Sequence, residues 1–241
     1  MKFDIARQPL VPAFMTLFAL AVAAMCAGIP VPDTETSGAV REALPLLGGQ
    51  LARFQAAYPV WSKFAAGFML LFAGMCTGRI SIRYNLYTVG TCLPIPLYAI
   101  VACGIATGGN YLAGFAASML LALATKNYCR AFCNGYGFDA IFRASLYLGL
   151  MPLIYAPALP LLLLLPLAVL LFRRTFREVV VATAGLLLPI FTACYVSWGS
   201  GAEFTAPLVT VGQSAIEGMP LQLFLDLSLI HISEPTRRVV I

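Results

Sequence analysis

The side chains of this sequence that could do chemistry are few, and their spacing closes most options. Seven cysteines (Cys26, Cys76, Cys92, Cys103, Cys129, Cys133 and Cys194) stand with a single histidine, His231. Cys129 and Cys133 share helical spacing, whereas structural zinc takes four Cys or His ligands. Neither a histidine nor a second cysteine pair lies near them. The other cysteines fall in apolar stretches, where the thiol behaves as a small hydrophobe. No metal, haem, quinone or other cofactor is implied. Thiols in a membrane or a reducing cytosol are not expected to form structural disulfides. Gly199-Ser200-Gly201 offers a hydroxyl without a partner base, so nucleophilic hydrolysis lacks its machinery. Glycine-rich phosphate loops are missing too.

What is left is a set of charges. Residues 126–143 read KNYCRAFCNGYGFDAIFR. There Arg130, Asp139 and Arg143 can pair or hold an anion such as a lipid head group. Asp139 and Arg143 have the four-residue spacing of a helical ion pair, and Asn134-Gly135 and Gly137 turn the backbone ahead of them. The plainer reading is an interfacial loop whose arginines set topology and touch lipid phosphates without selectivity. Arg173, Arg174 and Arg177 make a second basic cluster, open to the same two readings. Arg174 and Glu178 are spaced as an ion pair on a first helical turn. Asp33, Glu35 and Glu42 sit in a polar loop with no motif around them. A lipid-linked glycosyl transferase or polymerase would have to use these.

The elements that position these groups follow from composition. Of 241 residues, 61% are hydrophobic and 10% charged, with a mean hydropathy of +0.89. Soluble domains are about 25% charged, so this chain cannot cover a water-facing surface. A soluble enzyme and a disordered chain are both excluded. The apolar runs are continuous rather than alternating, which excludes an outer-membrane barrel. An all-α polytopic transmembrane helix bundle remains. Its partner is the lipid bilayer, membrane proteins are further candidates, and nothing in it suits nucleic acid.

Apolar runs fit to cross a core of about 30 Å fall at 10–29, 60–76, 86–105 and 111–125. A basic turn is expected at 79–84, and Pro94 and Pro96 are expected to kink the third span. Residues 144–172 divide into a hairpin of two short helices, 144–156 and 159–172, broken at Pro157-Ala158-Leu159-Pro160. A last clear span covers 179–198, followed by a mixed stretch at 203–226. Charge decides for the hairpin. With it, Lys2, Arg7, Arg79, Arg83, Lys126, Arg130, Arg143, Arg173, Arg174 and Arg177 share the cytoplasmic side. Arg41, Arg53 and Lys63 then lie outside, as the positive-inside bias requires. The result is a single membrane domain, 1–226, of about seven spans with a cytoplasmic N-terminus. Val40, Leu44, Leu47, Leu51 and Phe54 have helical spacing, which places 40–54 along the membrane surface. Small residues (Gly67, Ala73 and Gly74; Gly114, Ala117 and Ser118) are placed to let helices pack closely.

Two resemblances add to this reading. Phe138-Asp139, Leu153-Ile154-Tyr155-Ala156-Pro157, a leucine-rich return, Arg174-Thr-Phe-Arg177-Glu178 and Gly185-Leu-Leu-Leu-Pro189 follow in order. Across 127–191 the chain resembles a bacterial family of multi-pass inner-membrane proteins with no assigned function. Ala140 stands where that family has glycine. The resemblance implies the bacterial inner membrane and supplies no catalytic residue. The run 227–237, LSLIHISEPTR, resembles a translated sequencing adapter, so 227–241 is read as a non-native tail. His231 belongs to it, and the native chain is expected to continue past Asp226. The functional expectation is a non-catalytic envelope, assembly or structural component. The alternatives are a carrier or flippase for a lipid-like substrate, built on the broken hairpin, and the lipid-linked transferase.

Overall fold

Apolar runs without alternation can satisfy their own backbone groups only as helices, and this chain forms helices. The computed structural model describes residues 10–26, 46–84, 92–103, 110–133, 137–163 and 175–217. All regular structure among the described residues is helical. In order these are α1 (Leu10–Cys26), α2 (Leu46–Ala57), α3 (Pro59–Arg83), α4 (Pro94–Cys103), α5 (Tyr111–Cys133) and α6 (Phe138–Ile154). A 3₁₀ segment (Ala156–Leu163), α7 (Phe176–Gly199) and α8 (Ala206–Glu217) follow. By length and composition, α3 and α7 can each cross a membrane, and α1 and α4 are shorter apolar helices.

Close contacts fix how the helices run. Gly67 of α3 faces Met25 and Gly74 faces Leu17, so α1 and α3 are antiparallel. Near the starts of α3 and α5, the Ser62 and Tyr111 hydroxyls share a buried hydrogen bond. Towards their ends, Ile80 and Ser81 border the same cavity as Leu121 and Thr125, so these two helices are parallel. The start of α4 packs back on the end of α3 through Ile95 against Gly78. At the turn from α5 to α6, Gly137 lies against Ala131. Further on, Gly185 of α7 meets Phe142 and Ser145 of α6, and Gly149 of α6 meets Leu186. The contacts advance in the same direction along both helices, so α6 and α7 are parallel.

The interior is built from small side chains. Ala113, Ala116, Ala117, Ala124, Ala131, Ala140 and Ala182 form the α5–α6–α7 core with Ile141, Leu148 and Met151. A second cluster joins α1, α3, α4 and α5 around Leu17, Leu70 and Phe115. Large apolar residues such as Trp61, Phe68, Phe176, Phe191 and Tyr195 point outward. Small side chains inside let the helix backbones approach closely, and that approach supplies van der Waals contact.

Several boundaries differ from the sequence expectation. The residues expected as a basic turn at 79–84 are the last turn of α3, capped at Tyr84, whose N–H bonds to Ile80 O. No glycine or proline interrupts Arg79–Arg83, so nothing stops the helix earlier. Pro94 and Pro96 do not kink a helix; they begin α4. Proline at a first turn loses nothing, because the N–H it lacks has no intrahelical acceptor there. Residues 126–133 continue α5 rather than forming a loop. Of the amphipathic stretch at 40–54, Val40 and Leu44 lie outside the described residues. Leu47 and Leu51 of α2 pack on the bundle core. The α-helical course of α6 ends at Ile154, with Tyr155 extended at φ −138° and ψ 96°. Pro157 has no N–H for Leu153 and its ring would strike that carbonyl. The segment after the break is 3₁₀ where α-helix was expected from 159, and residues 164–172 of the expected second leg lie outside the described residues.

Candidate functional site

The helix directions gather the charges at one end of the bundle. Arg79 and Arg83 close α3, Lys126 and Arg130 lie in the last part of α5, Asp139 and Arg143 open α6, and Arg177 opens α7. Arg53 and Lys63 lie at the other end, beside the starts of α3 and α5. Of the six residues singled out in the sequence, the structure pairs two. Arg143 Nε donates to Asp139 Oδ1 at 3.0 Å, with the two side chains 57% and 65% exposed. Such a solvated i,i+4 pair contributes about 0.3–0.5 kcal/mol. Arg130 and Arg177 are exposed at the same end and outside that pair. Arg173 and Arg174 lie outside the described residues.

Glu178, expected from spacing to pair with Arg174 on the first turn of α7, is 1% exposed, and Arg174 lies outside the described residues. It lies on the α7 face that carries Ala182 and Gly185 into α6. Thr175 is the N-cap of α7, and the Glu178 N–H donates to the Thr175 carbonyl at 2.9 Å. The available signal was Thr175-x-x-Glu178, the spacing of a capping box, although the Thr175 side chain makes no capping bond.

The second feature is a furrow along α5. A cavity of about 690 Å³ lies between α5 and the 3₁₀ segment, bounded by Gly114, Ala117, Ser118, Tyr155, Pro157 and Pro160 among others. A cavity of about 300 Å³ lies between α3, α4 and α5, with Thr77, Ser81, Tyr98, Ser118 and Thr125 among its lining residues; Thr77 and Thr125 donate to carbonyls of their own helices. Ser118 and Leu121 belong to both. Positions 114, 117, 118, 121, 122 and 125 form one stripe on α5, about 17 Å long at 1.5 Å per residue. Where the cavities adjoin, the Tyr98 and Ser118 hydroxyls are hydrogen bonded at 2.7 Å. The walls are mostly apolar, with hydroxyl-bearing residues among them.

This changes the meaning of the small residues. Gly67 and Gly74 pack against α1 as small-residue faces should. Gly114, Ala117 and Ser118 instead line the larger cavity, Ala117 while also packed in the core. Missing side-chain volume on α5 is what makes room for the larger cavity. The small residues at helical spacing are visible in the sequence, but what stands opposite them is not.

Compared with protein-family models, with curated proteins and with solved structures, the chain matches none. Its functional reading therefore rests on its own geometry.

Proposed function

We propose that this chain is a multi-pass integral protein of the bacterial inner membrane that carries a lipid-like amphiphile along the α5 furrow. The observation that carries the reading is the shared wall at Ser118 and Leu121, where two cavities on successive parts of one helix adjoin. The larger cavity is flanked by the break after Ile154, and interrupted helices next to a cavity are a recurring way to build a carrier site. The basic end of the bundle would face the cytoplasm, following the positive-inside bias, which also puts the N-terminus there. In this topology the chain makes about seven spans, and the resemblance over 127–191 to inner-membrane proteins agrees with it. The alternative is a non-catalytic assembly role through small-residue faces. That role needs those faces free for partners; Gly67 and Gly74 already pack on Met25 and Leu17, and Gly114, Ala117 and Ser118 line the cavity that the carrier reading uses.

No step here makes or breaks a covalent bond. The substrate's polar group would exchange hydrogen bonds among Thr125, Ser81, Ser118 and Tyr98, and its apolar part would remain against leucine and proline. The test is movement of a fluorescent phospholipid between leaflets of proteoliposomes. A rate well above that of protein-free vesicles, abolished by Ser118→Trp, is the expected result. Equal rates with and without protein would end the proposal.

A further inference from the structure

A third cavity lies away from the furrow, between the start of α1, the last two turns of α3 and the start of α4. It measures about 480 Å³ and is walled by Val11, Phe14, Met15, Met75, Ile82 and Ile95, with Arg79 and Arg83 also lining it. That size is within the range of small-molecule sites, about 300–1,000 Å³. We propose that this groove holds one anionic phospholipid, its phosphate on Arg79 and Arg83 and an acyl chain against the apolar wall. The inference rests on the membrane reading of the chain and not on transport.

Three observations select this occupant. First, Met75, Gly78, Arg79, Ile82 and Arg83 line the groove from one stripe of α3, with the cations at the end of the helix. Met75 and Arg83 are separated by about 12 Å along the axis. Apolar wall followed by paired cations has the polarity of a phospholipid standing in its leaflet. Second, among the described residues no carboxylate lines the groove and neither arginine is taken up by an ion pair. Two guanidinium groups one turn apart suit a phosphate, which accepts bidentate hydrogen bonds. Third, the wall is open to the surroundings. Val11 is 67% and Met15 60% exposed, so a lipid can enter sideways. Gly78 closes the far side, because only a residue without Cβ lets Ile95 approach so closely. Among the described residues, Lys126, Arg130, Arg143 and Arg177 line none of these three cavities.

The experiment is native mass spectrometry of the full chain released from detergent containing phosphatidylglycerol or phosphatidylcholine. Wild type is expected to retain one phosphatidylglycerol in preference to phosphatidylcholine. Each basic residue near an anionic lipid surface is worth roughly a factor of five, so Arg79→Gln with Arg83→Gln should weaken that retention about 25-fold. Met15→Ser with Met75→Ser, which keeps both arginines, should also lose the lipid. Ser118→Trp should leave retention unchanged, so a failure of transport and a failure of this site are told apart. Equal retention of both lipids, or full retention by the double glutamine variant, would overturn the proposal. So would displacement by millimolar inorganic phosphate alone, which would make the site a free-phosphate site. Retention that appears only after removal of residues 1–9 would overturn it as well, and would assign the groove to the chain's own N-terminus.

Discussion

Two glycines hold α6 against α7, and substituting them gives the sharpest test of the packing. A Cβ on Gly185 would sit 2.7 Å from the Phe142 carbonyl oxygen and 3.0 Å from Ser145 Cβ, where ordinary contact begins near 3.4 Å. A Cβ on Gly149 would lie 3.0 Å from the Leu186 carbonyl carbon and 3.1 Å from its Cα, with the oxygen closer still. These obstacles are mostly backbone, so no rotamer change relieves them and the helices must move apart. Overpacking of that kind costs about 1–3 kcal/mol. Gly67→Ala meets only the flexible end of Met25 and should cost less. Gly212 in α8 has nothing within 4 Å. There alanine should stabilise by about 0.5–1 kcal/mol, the helix-propensity difference. The assay is reversible unfolding of the purified protein in mixed micelles, followed by helical circular dichroism and tryptophan emission. The expected order of stability is Gly212→Ala, wild type, Gly67→Ala, then Gly185→Ala and Gly149→Ala together. The reasoning is refuted if Gly149→Ala unfolds with wild-type stability, or if Gly212→Ala loses more than it does.

Three further outcomes follow from the same geometry. In a cysteine-free background, Arg143→Cys and Arg177→Cys should be labelled from one side of a membrane vesicle and Arg53→Cys from the other; labelling of Arg143 and Arg177 from opposite sides would break the parallel arrangement. Ser62→Ala should cost about 1–3 kcal/mol by leaving the buried Tyr111 hydroxyl without its partner, and adding Tyr111→Phe should cost less than the sum of the two single changes, which a double-mutant cycle measures. Asp139→Asn removes an exposed pair and should change stability by no more than about 0.5 kcal/mol, with the difference shrinking further at high salt.

Periodicity and composition made the helices legible, because a chain this apolar must satisfy its backbone within each segment. The break near Pro157 was legible for the same local reason. Ends were not: α3 runs on through Arg79 and α5 through Arg130, since charged residues at a helix terminus need only reach a polar surface, not leave the helix. Pro94 misled because proline means a kink inside a helix and a start at its first turn, and only the neighbouring backbone distinguishes them. Of the charged candidates, Asp139 and Arg143 were paired correctly by spacing alone. Glu178 was expected to pair with Arg174, which lies outside the described residues; its burial is decided by α6, which no window around residue 178 contains. The cavities were the least legible. The same small residues close a contact at Gly74 and open one at Gly114, and the difference lies in what stands opposite.

The parallel course of α6 and α7 bears on how such a chain is made. Antiparallel neighbours can enter a bilayer together as a hairpin, with both free ends left on one side. Parallel neighbours cannot. During synthesis, α6 must stand in place while everything from Tyr155 to the end of α7 is still emerging. At about 5–20 residues per second, that interval is on the order of seconds. For its duration the Gly149 face, shaped to receive the Leu186 backbone, has no proper occupant. A ribosome stalled before α7 would leave that notch open to another nascent helix. The narrow fit that fixes the finished bundle is also the place where its assembly can be intercepted.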